Sequence, residues 1–183
     1  MARSSKTTEA SLVERTAKGD RDAFEQLYNI YRKRLFGYLF RVVGDATGAE
    51  DLAHEVLLEI WKSAGRFEGR SKVSTWIFGI AHNKALAALR KRRPMVDLDD
   101  SPEIADERES VERAMELGEM KTLFRQYLTS LSADHREVVE LAFLQGLSYA
   151  DCAEILDCPV ATVKTRVFYA KQQLKNMASG YGA

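Results

Sequence analysis

The chain has 183 residues, with 27 bases against 27 acids, 45% apolar and 30% charged side chains. That length and composition exclude a wholly disordered chain and leave room for one sizeable core or two small ones. Two cysteines, Cys152 and Cys158, are too few for a secreted disulfide framework. "MARSSKTTEA" carries no apolar leader, and no run approaches the roughly 20 apolar residues of a membrane span, so a soluble protein of a reducing compartment is expected.

Helical spacing dominates, and no stretch alternates long enough to predict a strand. In "DAFEQLYNIYRKRLFGYLFRVV", Phe24, Leu27, Tyr28, Tyr31, Leu35 and Leu39 recur three and four apart, which predicts one helix. The polar, glycine-bearing "GDATGAED" then introduces a second, Asp51 to Ser63, with Leu52, Val56, Leu57 and Ile60 inward. Asp51, Glu55 and Glu59 fall on another face beside an outward Leu58. Like charges at that spacing weaken a helix by a few tenths of a kcal/mol per pair, and Lys62 offsets part of this. Such a ridge fits a protein docking surface or a plain solvated face equally well.

The stretch from Gly69 to Arg93 contains Arg70, Lys72, Lys84, Arg90, Lys91, Arg92 and Arg93 and no acid. On a helical projection Ile77, Ile80, Ala81 and Ala88 face inward, while Trp76, Gly79, Asn83 and Arg90 share a different side. A flat ring, a gap, an amide and a cation are the parts of a single-stranded nucleic acid site. Aromatic stacking contributes about 1 to 3 kcal/mol per base, and that offsets the cost of unstacking. Phe78 is expected in the core; Trp76 fits the core or the stacking platform; the bases also suit a helix C-terminus.

Charge is distributed in blocks: residues 1–93 carry 18 bases and 11 acids (+7), residues 94–117 carry 2 and 9 (−7), and residues 118–183 carry 7 of each. The acidic block holds two of the three prolines and no aromatic ring, so it reads as a flexible tether between two domains, 1–93 and 118–183. The juxtaposed charges also suggest that the tether competes with DNA for the basic surface. Neutralising Asp97, Asp99, Asp100 and Glu103 should then raise free-protein DNA affinity at low salt.

Beyond the tether, Met120, Leu123, Phe124, Tyr127, Leu128 and Leu131 resume the helical spacing, and Ser132 is placed to cap the next helix. In "GLSYADCAEILDCPVATVKTRVFYAKQQLK", Ser148 and Asp151 suit a capping box, a short helix follows, and the Asp157 to Pro159 break starts another: helix-turn-helix grammar. Val160, Val163, Val167, Ala170 and Leu174 should face inward, leaving Lys164, Thr165, Phe168 and Lys171 outward with no acid between Pro159 and Ala178. Small, hydrogen-bonding and cationic side chains near a helix start suit base edges and phosphates; a solvated bundle helix is the plainer reading.

These stretches, taken in order, resemble the extracytoplasmic-function (ECF) sigma factors of bacterial RNA polymerase, in the sigma-70 superfamily. The resemblance covers nearly everything except the ends and the tether: "GDRDAFEQLYNIYRKRLFGYLF", "AEDLAHEVLLEIWKSAGRFEGRSKVSTWIFGIAHNKALAALRKRR" and "LSADHREVVELAFLQGLSYADCAEILDCPVATVKTRVFYAK". It implies an all-α protein of two small helical domains, 1–93 (region 2) and 118–183 (region 4, helix-turn-helix), joined by the acidic linker 94–117. It implies that Asp51, Glu55, Leu58 and Glu59 dock on core polymerase. Arg70, Lys72, Trp76, Asn83, Lys84 and Arg90 would meet the duplex and melted non-template strand of the minus-ten element, with Asn83 at the family's "IAxN" position. Lys164, Thr165, Arg166, Phe168 and Lys171 would read the minus-thirty-five element.

The resemblance further implies an anti-sigma partner, a stress or envelope regulon, and a cytoplasmic protein without membrane insertion that such a partner can hold at the membrane. Departures include His54 where Gln is common, and Gly79, Tyr169 and Lys171 where Arg is frequent. Lysine keeps the charge but lacks the bidentate fork, so base preference does not transfer. Cys152, at a usually aliphatic position, reads as a small core residue. Cys158 lies six residues further on with no nearby histidine, poor zinc spacing, and His54, His82 and His135 have no recognisable nucleophile partner. No metal, cofactor or enzymatic activity is expected. The rival reading is a polymerase-independent helix-turn-helix regulator of duplex DNA, which would leave the carboxylate ridge and the basic aromatic helix without a use.

Overall fold

The computed structural model describes residues 8–92 and 126–180. The acidic linker, the Met120–Phe124 run and Arg93 lie outside them. Among the described residues every regular element is helical: α1 (Glu9–Ala17), α2 (Arg21–Val43), α3 (Ala46–Ser63), α4 (Val73–Arg92), α5 (Ala133–Val139), α6 (Tyr149–Ile155) and α7 (Val160–Gly180). The expected all-α, two-domain architecture holds.

Side-chain caps set most of the boundaries. Asp20 accepts the Ala23 N–H to open α2, and Gly44 at φ +72 closes it by donating its N–H to the Phe40 carbonyl at 2.9 Å. Asp45 opens α3 through the Gly48 N–H, 2.9 Å away, and Arg92 reaches back to the same carboxylate at 2.7 Å. The Arg92 hydrogen bond, then the Gly48 N–H, hold the Asp45 pKa below its usual value. The single charge contact fastens the end of α4 to the start of α3.

Helices α2, α3 and α4 pack on one another around Leu27, Tyr31, Leu35, Tyr38, Leu39, Val56, Ile60, Ile77 and Phe78, all at most 1% exposed. Full burial of each large apolar side chain stabilises by about 1.5 to 3 kcal/mol. Phe78 sits edge-on to Tyr38 (5.4 Å) and Tyr31 (6.4 Å); it is core, as its register predicts. Helix α1, which the sequence spacing did not single out, adds Leu12 and Val13 to this core, and the Tyr31 hydroxyl donates to Glu9 at 2.7 Å.

The C-terminal half is a smaller cluster of helices. Ser132 caps α5, and Ser148 with Asp151 forms the expected capping box on α6. Arg136 gathers the carbonyls of Leu128, Thr129 and Leu131, at 3.0, 2.9 and 3.0 Å, which would otherwise end a helix unpaired. After α5 the chain widens into a π-helical turn, Glu140–Leu144, closed by the Gln145 N–H on the Glu140 carbonyl, and Gly146 at φ +70 redirects it into α6.

The two halves touch, and acids of one meet bases and hydroxyls of the other. Glu140, 1% exposed, takes a bidentate pair from Arg41 of α2, with Nη2 at 2.7 Å. Glu137 Oε1 accepts from the Tyr38 hydroxyl (2.5 Å) and lies 2.7 Å from His82 Nδ1. Asp151 accepts from Lys72 Nζ at 2.9 Å and from the buried Thr75 hydroxyl at 3.0 Å. Arg34 lies over the Tyr31 and Phe78 rings, 5.0 and 5.3 Å from their centroids, and donates to the side chain and carbonyl of Gln145. Beneath these polar contacts α4 packs on α6, and the buried cluster runs on through Leu147, Cys152 and Ile155.

Candidate nucleic-acid interface

The loop before α4 and its outer face carry the basic surface. Arg70 is exposed and pairs with the exposed Glu68, a contact worth at most about 1 kcal/mol. Trp76 is half-buried with its ring 5.1 Å from that of Phe67, tilted by 42°. It therefore belongs to both of its expected settings: one side leans on the core cluster, and part of the indole remains open. Asn83 and Arg90 are exposed. Lys84 is half-buried, 3.3 Å from Glu55 of α3, and Lys72 is held by Asp151. Three of the six residues proposed for the minus-ten element, Arg70, Lys72 and Lys84, are thus already beside carboxylates. The surface is a string of cations, of which Arg90 and Lys91 are exposed and have no ion-pair partner among the described residues, with an aromatic platform and an amide between them.

On α3 the inward residues Leu52, Val56, Leu57 and Ile60 are all buried, as their register predicts. Asp51 and Glu55 are exposed, Leu58 stands 51% exposed, and Glu59 is half-buried. Sequence spacing passed over two further exposed apolar side chains on α2, Ile30 and Phe36. The signal was present: both fall out of register with the inward Leu27, Tyr31, Leu35 and Tyr38. Phe36 stacks on Phe40 at 6.1 Å and 15° between planes.

The helix-turn-helix turns on Asp157, whose φ of +47 is a left-handed conformation that Asp tolerates better than most side chains. Val163, Val167 and Ala170 of α7 are buried and Leu174 is half-buried, but Val160 is 39% exposed, contrary to its expected inward place. It is the first residue of the helix, beyond the reach of the α5 and α6 packing. Lys164 and Thr165 are exposed, and the Thr165 hydroxyl donates to the Ala161 carbonyl. Arg166 is held by Asp134 of α5 at 2.6 Å. Phe168 (62% exposed) and Tyr169 (52%) project side by side, and the Lys171 ammonium lies 4.7 Å above the Phe143 ring. Along this helix Lys164 is the exposed cation nearest the N-terminus, with no ion-pair partner among the described residues.

Cys152 is buried, and desolvation, then the Asp151 charge, push its thiol up to about 12, so it stays protonated and packs as a small apolar residue. His54 is exposed on α3. Sequence reasoning missed the contacting groups between the halves, Arg34, Tyr38, Arg41, His82, Glu137 and Glu140.

Comparison with known proteins reaches both halves. Residues 27–94 match the family model for sigma-70 region 2, and residues 121–174 match that for sigma-70 region 4. The RNA polymerase sigma-H factor of Pseudomonas aeruginosa is 37% identical over 174 residues, covering 89% of this chain and 90% of that one. The ECF RNA polymerase sigma-E factors of Haemophilus influenzae and Escherichia coli are each 33% identical, covering 92% and 94% of this chain and 94% and 95% of theirs. Among solved structures, CnrH in complex with the cytosolic domain of CnrY shares the fold: TM-score 0.71, 22% identity, 94% of this chain and 97% of that one. The sigma factor RpoE of Bartonella quintana, solved with the anti-sigma factor NepR, gives a TM-score of 0.65 at 25% identity over 85% and 96% of the two chains. A helix-turn-helix regulator of duplex DNA would account for the second matched region alone; with both regions matched in order, and relatives aligned along about nine-tenths of its length, the chain belongs to the sigma-70 family as an ECF sigma factor.

Proposed function

We propose that this sigma factor docks on core RNA polymerase through the α3 face of Asp51, Glu55, Leu58 and Glu59. It opens the minus-ten element on the Arg70, Lys72, Trp76, Asn83, Lys84 and Arg90 surface. It reads the minus-thirty-five element with Lys164, Thr165, Arg166, Phe168 and Lys171. The units that do this are 1–93 and 118–183, with 94–117 as linker.

One observation carries the docking assignment: Leu58 is half exposed on the helix that carries the exposed Asp51 and Glu55 and the half-buried Glu59, while Leu57, its neighbour, is 3% exposed. An apolar side chain kept in water on an otherwise well-buried helix supports a partner surface. The open side of Trp76 beside Asn83 and Arg90 supports capture of an unstacked strand. Its promoter-bound form is then neither catalytic nor membrane-inserted; it is a cytoplasmic specificity subunit. The Bartonella complex supports an anti-sigma factor as a further partner, free to sit at a membrane; among the described residues no helix is long and apolar enough to cross one.

Run-off transcription with purified bacterial core polymerase over a pooled promoter library tests the reading. Transcripts that require this protein and share two spaced upstream elements are expected. With an active polymerase and a suitable library, their absence would favour a polymerase-independent regulator of duplex DNA.

A further inference from the structure

One side of α2 keeps aromatic carbon in water. Asn29, Lys33, Phe36 and Phe40 recur at steps of four, three and four, on the side away from the buried Leu27, Tyr31, Leu35 and Tyr38. Phe36 is 38% exposed and stacks on the half-buried Phe40, and Ile30, 39% exposed, flanks the stripe. Arg32 and Lys33 are exposed and have no ion-pair partner among the described residues. Two stacked rings beside two such cations suit an occupant that is both apolar and acidic. We propose that this face docks the chain's own acidic linker at residues 95–100: Met95, Val96 and Leu98 cover the Phe36–Phe40 pair, and Asp97, Asp99 and Asp100 answer Arg32 and Lys33.

The places where the linker begins and ends put it beside this face. Arg92, the last described residue before it, donates to the Val43 carbonyl at 3.4 Å and to Asp45 at 2.7 Å, at the C-terminal end of α2. The description resumes at Gln126. Arg136, which holds the carbonyls of Leu128, Thr129 and Leu131 just beyond, also donates to the Arg41 carbonyl at 3.4 Å. Residues 93–125 therefore leave from and return to the last turns of α2. At about 1.5 Å per residue, Phe40 and Phe36 lie about 5 and 10 Å back along the helix from Val43. Residues 93–98, extended, reach about 20 Å, which brings Val96 and Leu98 to the rings and leaves ample chain for the return.

Composition matches the two parties. The linker is the chain's acidic block, −7 over residues 94–117, and it opens with "MVDLDD", in which apolar and acidic side chains alternate from Val96. In an extended segment that alternation puts Val96 and Leu98 on one side and Asp97 and Asp99 on the other. The long stems of Arg32 and Lys33 reach around such a segment while keeping their charges in water. A basic partner would be repelled at this face, and a separate molecule would have to supply the carbon and the acids that the chain already carries next to it. Because both parties belong to one chain, an effective concentration on the order of mM lets a contact of modest intrinsic affinity be occupied. The acids then lie on α2 and not on the DNA-facing cations of α4.

The test is nuclear magnetic resonance of the full chain with labelled amides and methyls. In the wild type, the Val96 and Leu98 methyls should show nuclear Overhauser contacts to the Phe36 and Phe40 rings, and the order parameters of residues 96–100 should exceed about 0.6, the ceiling of a flexible backbone. Phe36→Ser and Leu98→Ser should each lower the docked-to-free ratio about five- to tenfold and remove those contacts. Lys33→Glu should lower it severalfold at low salt and much less at high salt. Circular dichroism checks helix content, and Leu98→Ser, which alters only the occupant, serves if Phe36→Ser does not fold. Order parameters below about 0.6 in the wild type, or contacts and order unchanged in Leu98→Ser, would overturn the docking. Order abolished by Arg90→Glu but not by Lys33→Glu would put the linker on the DNA-facing cations, and ring signals that shift on tenfold dilution without any linker contact would give the face to a second copy; either result overturns the proposal. The spectra are taken without polymerase or DNA, so the docking stands or falls separately from the proposed function.

Discussion

Asp151→Asn is the sharpest probe of how α6 is held. Asparagine keeps one acceptor oxygen, for Thr75 or for Ser148, and gives up the second along with the charge that Lys72 and the N-terminus of α6 favour. The native carboxyl sits at about 2 against an ordinary value of 3.8. With a depressed native pKa, the stabilisation is complete above the unfolded value and is lost as pH falls through the native one. The shift corresponds to about 2 kcal/mol at pH 7, falling to about 1 kcal/mol at pH 3. Urea unfolding of wild type and Asp151→Asn, followed by circular dichroism at both pH values, should show the variant less stable at both, with a gap about 1 kcal/mol wider at pH 7 than at pH 3. Other carboxylates titrate alike in both proteins and cancel. A gap that is as wide at pH 3 as at pH 7, or no gap at pH 7, would refute the charge-dependent account of this site.

Adjacent leucines on α3 should behave in opposite ways. Leu57→Ala empties a packed position and should cost about 2 to 5 kcal/mol in thermal or urea unfolding, whereas Leu58→Ala should leave stability within about 0.5 kcal/mol and weaken core polymerase binding at least severalfold in a fluorescence titration. Lys164→Ala in the assembled holoenzyme should reduce the slope of log affinity against log salt by about one, with similar loss on every promoter if Lys164 meets phosphate, and loss confined to particular bases if it reads an edge.

Helix registers were legible because each long helix has one buried face, so inward residues recur every three or four positions: Leu52, Val56, Leu57 and Ile60 on α3, Val163, Val167 and Ala170 on α7. The Ser132 and Ser148 caps were legible because a cap is a local contact within three residues. Val160 was misplaced because periodicity does not say where the packing partner ends. The meeting of the halves left no local trace: Glu140 and Arg41 are 99 residues apart, and each acid involved reads equally well as a solvated charge on an amphipathic helix. The same remoteness hid the Lys84–Glu55 contact, which joins the proposed DNA surface to the proposed polymerase surface.

Gly79 lies mid-way along α4 between Trp76 and Asn83, and a Cβ built there would meet no atom within 4 Å. Close packing therefore does not require glycine at this position, although glycine in a helix interior costs about 1 kcal/mol relative to alanine. The helix gives up that propensity and leaves a notch in its outer wall, bounded by an indole on one side and an amide on the other. A planar group can approach the backbone there more closely than any side chain would permit. An arginine here would fill and charge the wall; in this chain the place is hollow and neutral, so discrimination at it would rest on shape.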